Sequence, residues 1–324
     1  MEEITKIKQP VEAEYKRFSD DFRNSLSSST LRLQSAIEMI MQSTGKHIRP
    51  LIVLLTAKAC GKVTDTTINS AVLLELLHTA SLIHDDVIDE TKERRGVPSI
   101  NAFFDNRISV LVGDYLLSSA LIRSIQTGDL RIMSIVSNVG RALAEGEIKQ
   151  LEVAEDIILD ENSYLQVIQK KTAILLSACA EIGAISGNAT DEQINACKLF
   201  GEYLGYCFQI RDDIFDYYSD ANIGKPTGND IIEGKVTLPL LYALQKDTIN
   251  EVGYYEQIIN SKDYTPTHID ELIAFAKTNG GIEYAEARMN FYHDKAIELL
   301  YQLPDSESRT CLFELADYVV NRQK

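Results

Sequence analysis

Proline is scarce in this sequence, with seven residues in 324 and none between Pro98 and Pro226. Proline removes a helical N–H and clashes with the preceding turn. A long stretch without it, rich in Ala, Leu, Glu and Lys, predicts helix after helix. Alternating strand patterns are also scarce, and no fixed period recurs, which excludes a solenoid. No run of 18 apolar residues occurs, so no transmembrane span is expected. The first ten residues, "MEEITKIKQP", have neither the basic start nor the apolar core of a signal peptide. Cys60, Cys179, Cys197, Cys207 and Cys311 form no CxxC pair and read as reduced, mostly buried thiols of a cytoplasmic protein.

Positive charge is short as well. Lys and Arg number 32 against 48 Asp and Glu, a net charge of −16. With no basic stripe, nucleic acid is excluded as a partner. The same field repels an anionic substrate, which would need metal ions or a local basic cluster to bind. Walker loops, GxGxxG turns and a Ser or Cys nucleophile with a partner His are all missing. No linker-like change of composition divides the chain. The reading is therefore one all-α domain over 1–324, a helical bundle, with "SDANIGKPTGND" its one conspicuous loop.

What is present is acid in an unusual place. In "LIHDDVIDE", Asp85 and Asp89 lie one turn apart on a helix face, with Asp86 beside them. Leu82, Ile83, Val87 and Ile88 surround them with side chains that favour burial. The stretch alone leaves two readings open, a solvated acidic face or a cation site. The spacing then recurs in "FQIRDDIFDYYSD", as Asp212, Asp213 and Asp216. In a bundle the two clusters could face each other across one cavity mouth. Carboxylates without Cys or a His pair point to a hard cation, and Mg²⁺ fits best because it is held by a few carboxylates plus substrate phosphates. Basic residues follow both clusters, Arg94 and Arg95 in "ERRG", Lys225 and Lys235 in "GKPTGNDIIEGK". Guanidinium groups match phosphate geometry.

Over nearly its whole length the sequence resembles the trans-type prenyl diphosphate synthases, of the long-chain octaprenyl or heptaprenyl kind. The resemblance is carried, in order, by "GKHIRP", "LLHTASLIHDDVIDETKERRG", "GDYLL", "EGEIKQL", "KKTAILL", "FQIRDDIFD" and "GKPTGNDIIEGKVTLPL". It implies an isoprenoid-synthase bundle with a central cavity. It also implies that isopentenyl diphosphate is condensed with an allylic diphosphate. By this resemblance Asp85, Asp86 and Asp89, with Asp212, Asp213 and Asp216, hold roughly three Mg²⁺ ions that grip the allylic diphosphate. Arg94, Lys171, Gln209, Lys225 and Lys235 contact that diphosphate, with Thr172 beside them. Lys46, Arg49, His78 and Arg95 hold the diphosphate of isopentenyl diphosphate.

Blander readings stand beside these. Gly45 and Lys46 fit a helix C-terminus before Pro50, His78 fits a core histidine, and Thr172 and Phe208 fit packing. Asp114 and the glutamates of "EGEIKQ" read as structural. Ala80 and Ser81, one turn before Asp85, are small where short-chain members of the family are bulky, so they are expected to leave a channel open for the tail. At about 5.4 Å per turn, close to one isoprene unit, several open turns imply about seven or eight units, about C35–C40. Met133 and Ile135 are candidates for the channel floor. The resemblance also suggests quinone side chains as the end use, a homodimer, and transient membrane contact at product release. Its rivals are a geranylgeranyl- or farnesyl-type synthase and a non-catalytic partner subunit.

Overall fold

The structure is a computed structural model and describes residues 2–42, 45–94, 96–155, 160–218, 227–246 and 252–322. It opens with α1 (Glu2–Lys8), α2 (Glu12–Ser25), α3 (Leu31–Gln42), α4 (Ile48–Cys60) and α5 (Asp65–Ile88). A two-residue pair, β1 (Glu93–Arg94) and β2 (Val97–Pro98), precedes α6 (Ile100–Phe103), α7 (Asn106–Gln126) and α8 (Leu130–Glu155). Then come α9 (Glu161–Ile168), a π-helical turn at Gln169–Ala173, α10 (Ile174–Ser186) and α11 (Asp191–Phe215). The chain closes with α12 (Asn229–Ile232), α13 (Leu238–Leu244), α14 (Val252–Ser261), α15 (Pro266–Thr278), α16 (Gly281–Leu300) and α17 (Glu307–Asn321). The all-α expectation holds. Among the described residues the one β element is the β1–β2 pair, beside which Gly96 takes φ +77°.

The chain divides into two compact units. The first comprises Met1–Arg141, Leu175–Gly201 and Leu299–Leu315. Its centre is α4, α5 and α10, helices that are apolar on nearly every side and therefore buried all round. α4 crosses α10 closely at Gly183, where a Cβ would stand 1.9 Å from Thr56 Oγ1 and 2.6 Å from the Val53 carbonyl oxygen. Backbone cannot yield as a side-chain tip can. Gly183→Ala should therefore cost about 1–3 kcal/mol in a thermal or urea melt, the usual cost of overpacking. Gly140→Ala on α8, with nothing within 4 Å, should be neutral or stabilising.

Two helices of this unit, α5 and α7, are long and apolar enough to cross a membrane, although the sequence reading expected none. The apolar window of α5 is 67% buried, as suits a core helix, while that of α7 is 33% buried. α7 instead presents Val110, Leu111, Leu121, Ile122 and Ile125 on its exposed face. Its other face packs along α5, where Gly113 lets the two approach; a Cβ there would meet the His84 ring at 2.2 Å.

The second unit comprises Ala142–Ile174, Glu202–Glu298 and Ala316–Lys324. α9 and its π turn pack together, and α13 lies against both α9 and α15. Tyr242 and Tyr284 stack at 4.1 Å between ring centres. Tyr284 donates a 2.5 Å hydrogen bond to Glu161, and Arg288 makes a 2.8 Å ion pair with the same carboxylate. These contacts from α16 fix the start of α9.

Candidate active site

The first acidic cluster sits where α5 stops. Asp85 and Asp86 are in the last turn and Asp89 is the C-cap, its N–H donating to Asp85 O at 2.8 Å. A helix C-terminus carries partial negative charge, so cations are favoured there and carboxylates are not. The last turn of α5 nevertheless holds no basic residue. Asp86 is 4% exposed, Asp85 half-buried and Asp89 exposed. Of the apolar neighbours, Ile83 is buried, while Ile88 is 48% exposed.

Folding of the following loop brings a cation to this cluster. Ser99 Oγ donates to Thr91 O at 2.6 Å and Asn101 Nδ2 donates to Asp86 O at 3.0 Å, pulling β1 back over the helix end. Arg94 then donates from Nε and Nη2 to Asp86 Oδ1 at 2.8 and 2.5 Å. Arg95 lies outside the described residues.

Elsewhere in this unit, "GKHIRP" is fixed by a residue that sequence reasoning passed over. His47 adopts the left-handed region, φ 47°, sparsely populated for residues other than glycine. Its Nδ1 lies 2.9 Å from Oε1 of buried Glu75 on α5, and its ring meets Phe18 and Phe22 edge-on. An acid within the leucine run "AVLLELL" was the available signal. Lys46, exposed, and Arg49, half-buried, flank this anchor. Burial pushes the Cys179 thiol up to about 12, partly offset by nearby Arg49. His78 and Ala80 are buried on α5, and Ser81, half-buried, donates to His78 O at 2.9 Å. The Ala80 side chain is 2% exposed. Met133 and Ile135 are half-buried on α8. Asp114 lies 3.4 Å from His84 Nε2.

In the second unit the other cluster likewise straddles a helix end, with Asp212 and Asp213 in the last turn of α11 and Asp216 beyond it. Again no basic residue occupies the last turn. The three acids differ in what they offer. Asp216 accepts the N–H groups of Asn229 and Asp230 at 3.1 and 3.0 Å, one on each oxygen. Asp213, 3% exposed, accepts Gln209 Nε2 on Oδ1 at 2.7 Å and Tyr164 OH on Oδ2 at 2.6 Å. Burial, and then the neighbouring Asp230, push its carboxyl up to about 8. Asp212, with 41% of its side chain exposed, is paired at 2.8 Å with Arg322. The Arg322 guanidinium is itself stacked 4.0 Å over Phe208 and donates to Phe208 O. No sequence motif pointed to Arg322, which lies 110 positions from Asp212.

A cavity of about 160 Å³ adjoins Asp213. Lys171, Thr172, Gln209 and Lys235 line it, together with Asp230, Tyr164 and an apolar wall that includes Ile168, Leu241 and Ile259. Four of the basic and polar residues singled out in the sequence are thus brought to one wall. Lys225 lies outside the described residues. Lys171 and Thr172 sit in the π turn, a helix distortion often found at functional sites. Gly146 admits that turn, since a Cβ there would be 2.8 Å from Lys170 Cβ. The "EGEIKQ" acids are the counterions of "KKT": Glu145 pairs with Lys170 at 2.7 Å and Glu147 with Lys171 at 2.6 Å. Lys235 pairs with Glu233.

The residues fit a hard divalent cation. Both triads load carboxylates onto the negative end of a helix, an arginine stands on one acid of each, and a buried carboxyl beside the cavity is held far above its ordinary range. Among the described residues no three acids, thiols or imidazoles converge to hold an ion unaided.

Comparison with known proteins agrees. The profile of the Polyprenyl synthetase family matches residues 31–276. An octaprenyl diphosphate synthase from Haemophilus influenzae is 35% identical over 99% of this chain and 97% of its own length. A heptaprenyl diphosphate synthase component 2 from Geobacillus stearothermophilus is 35% identical over 94% of each. The crystal structure of a geranylgeranyl pyrophosphate synthase from Bacteroides thetaiotaomicron superposes with a TM-score of 0.86 at 44% identity, covering 99% of this chain and 100% of that one. The chain belongs to the polyprenyl synthetase family and is a prenyltransferase.

Proposed function

We propose that the protein condenses isopentenyl diphosphate with an allylic diphosphate, in a Mg²⁺-dependent reaction, to give a long all-trans polyprenyl diphosphate of about C35–C40. The observation that carries this is the pair of aspartate triads, each ending a helix that offers no basic residue in its last turn. Bound Mg²⁺ supplies Lewis-acid stabilisation of the departing pyrophosphate. Asp85, Asp86 and Asp89 in the first unit and Asp212, Asp213 and Asp216 in the second present the carboxylates that would hold Mg²⁺. Asp86, Asp212, Asp213 and Asp216 are each also bonded to protein donors, which fixes their orientation. Lys171, Thr172, Gln209 and Lys235, which line the cavity of the second unit, take the allylic diphosphate, and Arg94, which grips Asp86 in the first unit, is assigned to the same substrate group by family resemblance alone. Lys46, Arg49 and His78 take the diphosphate of isopentenyl diphosphate. The released pyrophosphate accepts the proton lost after the new carbon–carbon bond forms, so no protein base is required.

Long-chain relatives support the length, and the geranylgeranyl-type structure keeps a four-unit product as the rival. The test is mass spectrometry of dephosphorylated products from purified protein, Mg²⁺, isopentenyl diphosphate and farnesyl diphosphate. Products centred near about eight units are expected; accumulation at four would favour the rival. Quinone side chains as the end use and a cytoplasmic setting belong to the same proposal.

The proposed homodimer finds support in the apolar face of α7. On this account Ile122→Glu, which sets a charge in a face that a second copy covers, converts the dimer to monomer in light scattering. The component 2 relative raises a second reading, a subunit needing a different partner. Activity of the purified chain alone decides against it.

A further inference from the structure

Tyr164 belongs to no motif, yet its hydroxyl is the second of the two donors that hold Asp213. The ring is 8% exposed, and its OH donates to Asp213 Oδ2 at 2.6 Å. On the opposite oxygen Asp213 accepts Gln209 Nε2 at 2.7 Å, and Gln209 Oε1 in turn accepts Thr172 Oγ1 at 2.7 Å. Four residues from α9, the π turn and α11 therefore form one continuous relay, and all four line the cavity.

A primary amide has two N–H donors and one carbonyl acceptor. In Gln209 the carbonyl is taken by Thr172 and one N–H by Asp213, which leaves the second N–H for the cavity. Rotation of the amide by half a turn would present its oxygen there instead, against any anion. The choice between these states depends on where Asp213 holds its oxygens. A carboxylate bonded on one side alone still turns about its side-chain axis; one bonded on both sides does not. Tyr164 supplies the second bond, and its own position is fixed upstream. Asp160 caps α9 by accepting Ser163 N–H at 2.9 Å, and Tyr284 and Arg288 grip Glu161 one turn before Tyr164.

We propose that Tyr164 is a positioning residue which, through Asp213, fixes the Gln209 amide with its second N–H turned to an allylic diphosphate oxygen in this cavity. The inference rests on the prenyltransferase reading of the site and adds to it the residue that sets the allylic pocket's polarity.

The experiment uses calorimetric binding of a thio-linked, non-ionising analogue of an allylic diphosphate to the full chain in Mg²⁺, alongside steady-state kinetics. Tyr164→Phe removes one oxygen and keeps the ring, and its melting temperature is recorded beside the parent's. Affinity for the analogue should fall about tenfold, on the scale of one hydrogen bond to a charged group, while the KM for isopentenyl diphosphate stays unchanged. In a Gln209→Leu background the same substitution should have little further effect, because the group it acts through is gone. Unchanged affinity in Tyr164→Phe, or an equal loss with and without Gln209, would overturn the relay alone. A parent protein that does not bind the analogue would overturn the substrate reading and the relay with it.

Discussion

Asp85→Ala and Asp212→Ala should each lower turnover by about a hundredfold or more, with the helices still folded. The size follows from what the side chains do. Each triad concentrates negative charge at the end of a helix whose dipole already disfavours it; Arg94 and Arg322 offset part of that cost, and on the proposed function a divalent cation offsets the rest. Removing either half-buried carboxylate removes a ligand and no apolar core side chain, although Asp212→Ala also leaves the largely buried Arg322 guanidinium without its carboxylate. Secondary structure by circular dichroism should therefore be unchanged. Asp213→Ala should behave differently. It strands Tyr164 OH in a buried position and takes the acceptor from Gln209 Nε2, so a loss of stability of about 1–3 kcal/mol should accompany the loss of activity. A melting temperature unchanged in Asp213→Ala would mean that its two donors are not stranded by the loss.

Product length should shorten sharply when Ser81 is enlarged. Ser81 lies one turn before Asp85, half-buried, on the helix that carries the first triad. If the growing tail leaves the diphosphates along α5, a tyrosine at 81 stands about one turn, roughly 5.4 Å, below the reacting end. Ser81→Tyr should then release mainly products of about four units or fewer, at near-parental turnover, since no charge or metal ligand changes. Ala80 is the sterner version of the same test. Its methyl is 2% exposed, so Ala80→Tyr must displace packed neighbours and should also lower stability by about 1–3 kcal/mol. Chromatography of dephosphorylated products reads both. A product profile unchanged in Ser81→Tyr would place the tail on another face.

The acidic triads, the helical architecture and the basic partners were legible in sequence because each is local: spacing, proline scarcity and residues a few positions away. What stayed hidden is non-local. Arg322 reaches Asp212 from the other end of the second unit's chain segments, and Tyr164 reaches Asp213 across two helices. "EGEIKQ" and "KKT" look like separate motifs on the page but are paired ions in space. The spacing of the first triad puts Asp89 on a helix face, whereas in the structure it caps the helix, a difference of one residue at a helix end. His47 was passed over because its role depends on a left-handed backbone that no residue pattern announces.

The most direct test counts both products of the same reaction. Purified protein is supplied with Mg²⁺, radiolabelled isopentenyl diphosphate and an allylic diphosphate, and inorganic pyrophosphate is measured beside label entering the organic phase. The account predicts one pyrophosphate released for each isopentenyl unit incorporated, with both falling to background in EDTA and returning with Mg²⁺. Pyrophosphate released without incorporation, or incorporation that persists in chelator, would contradict it.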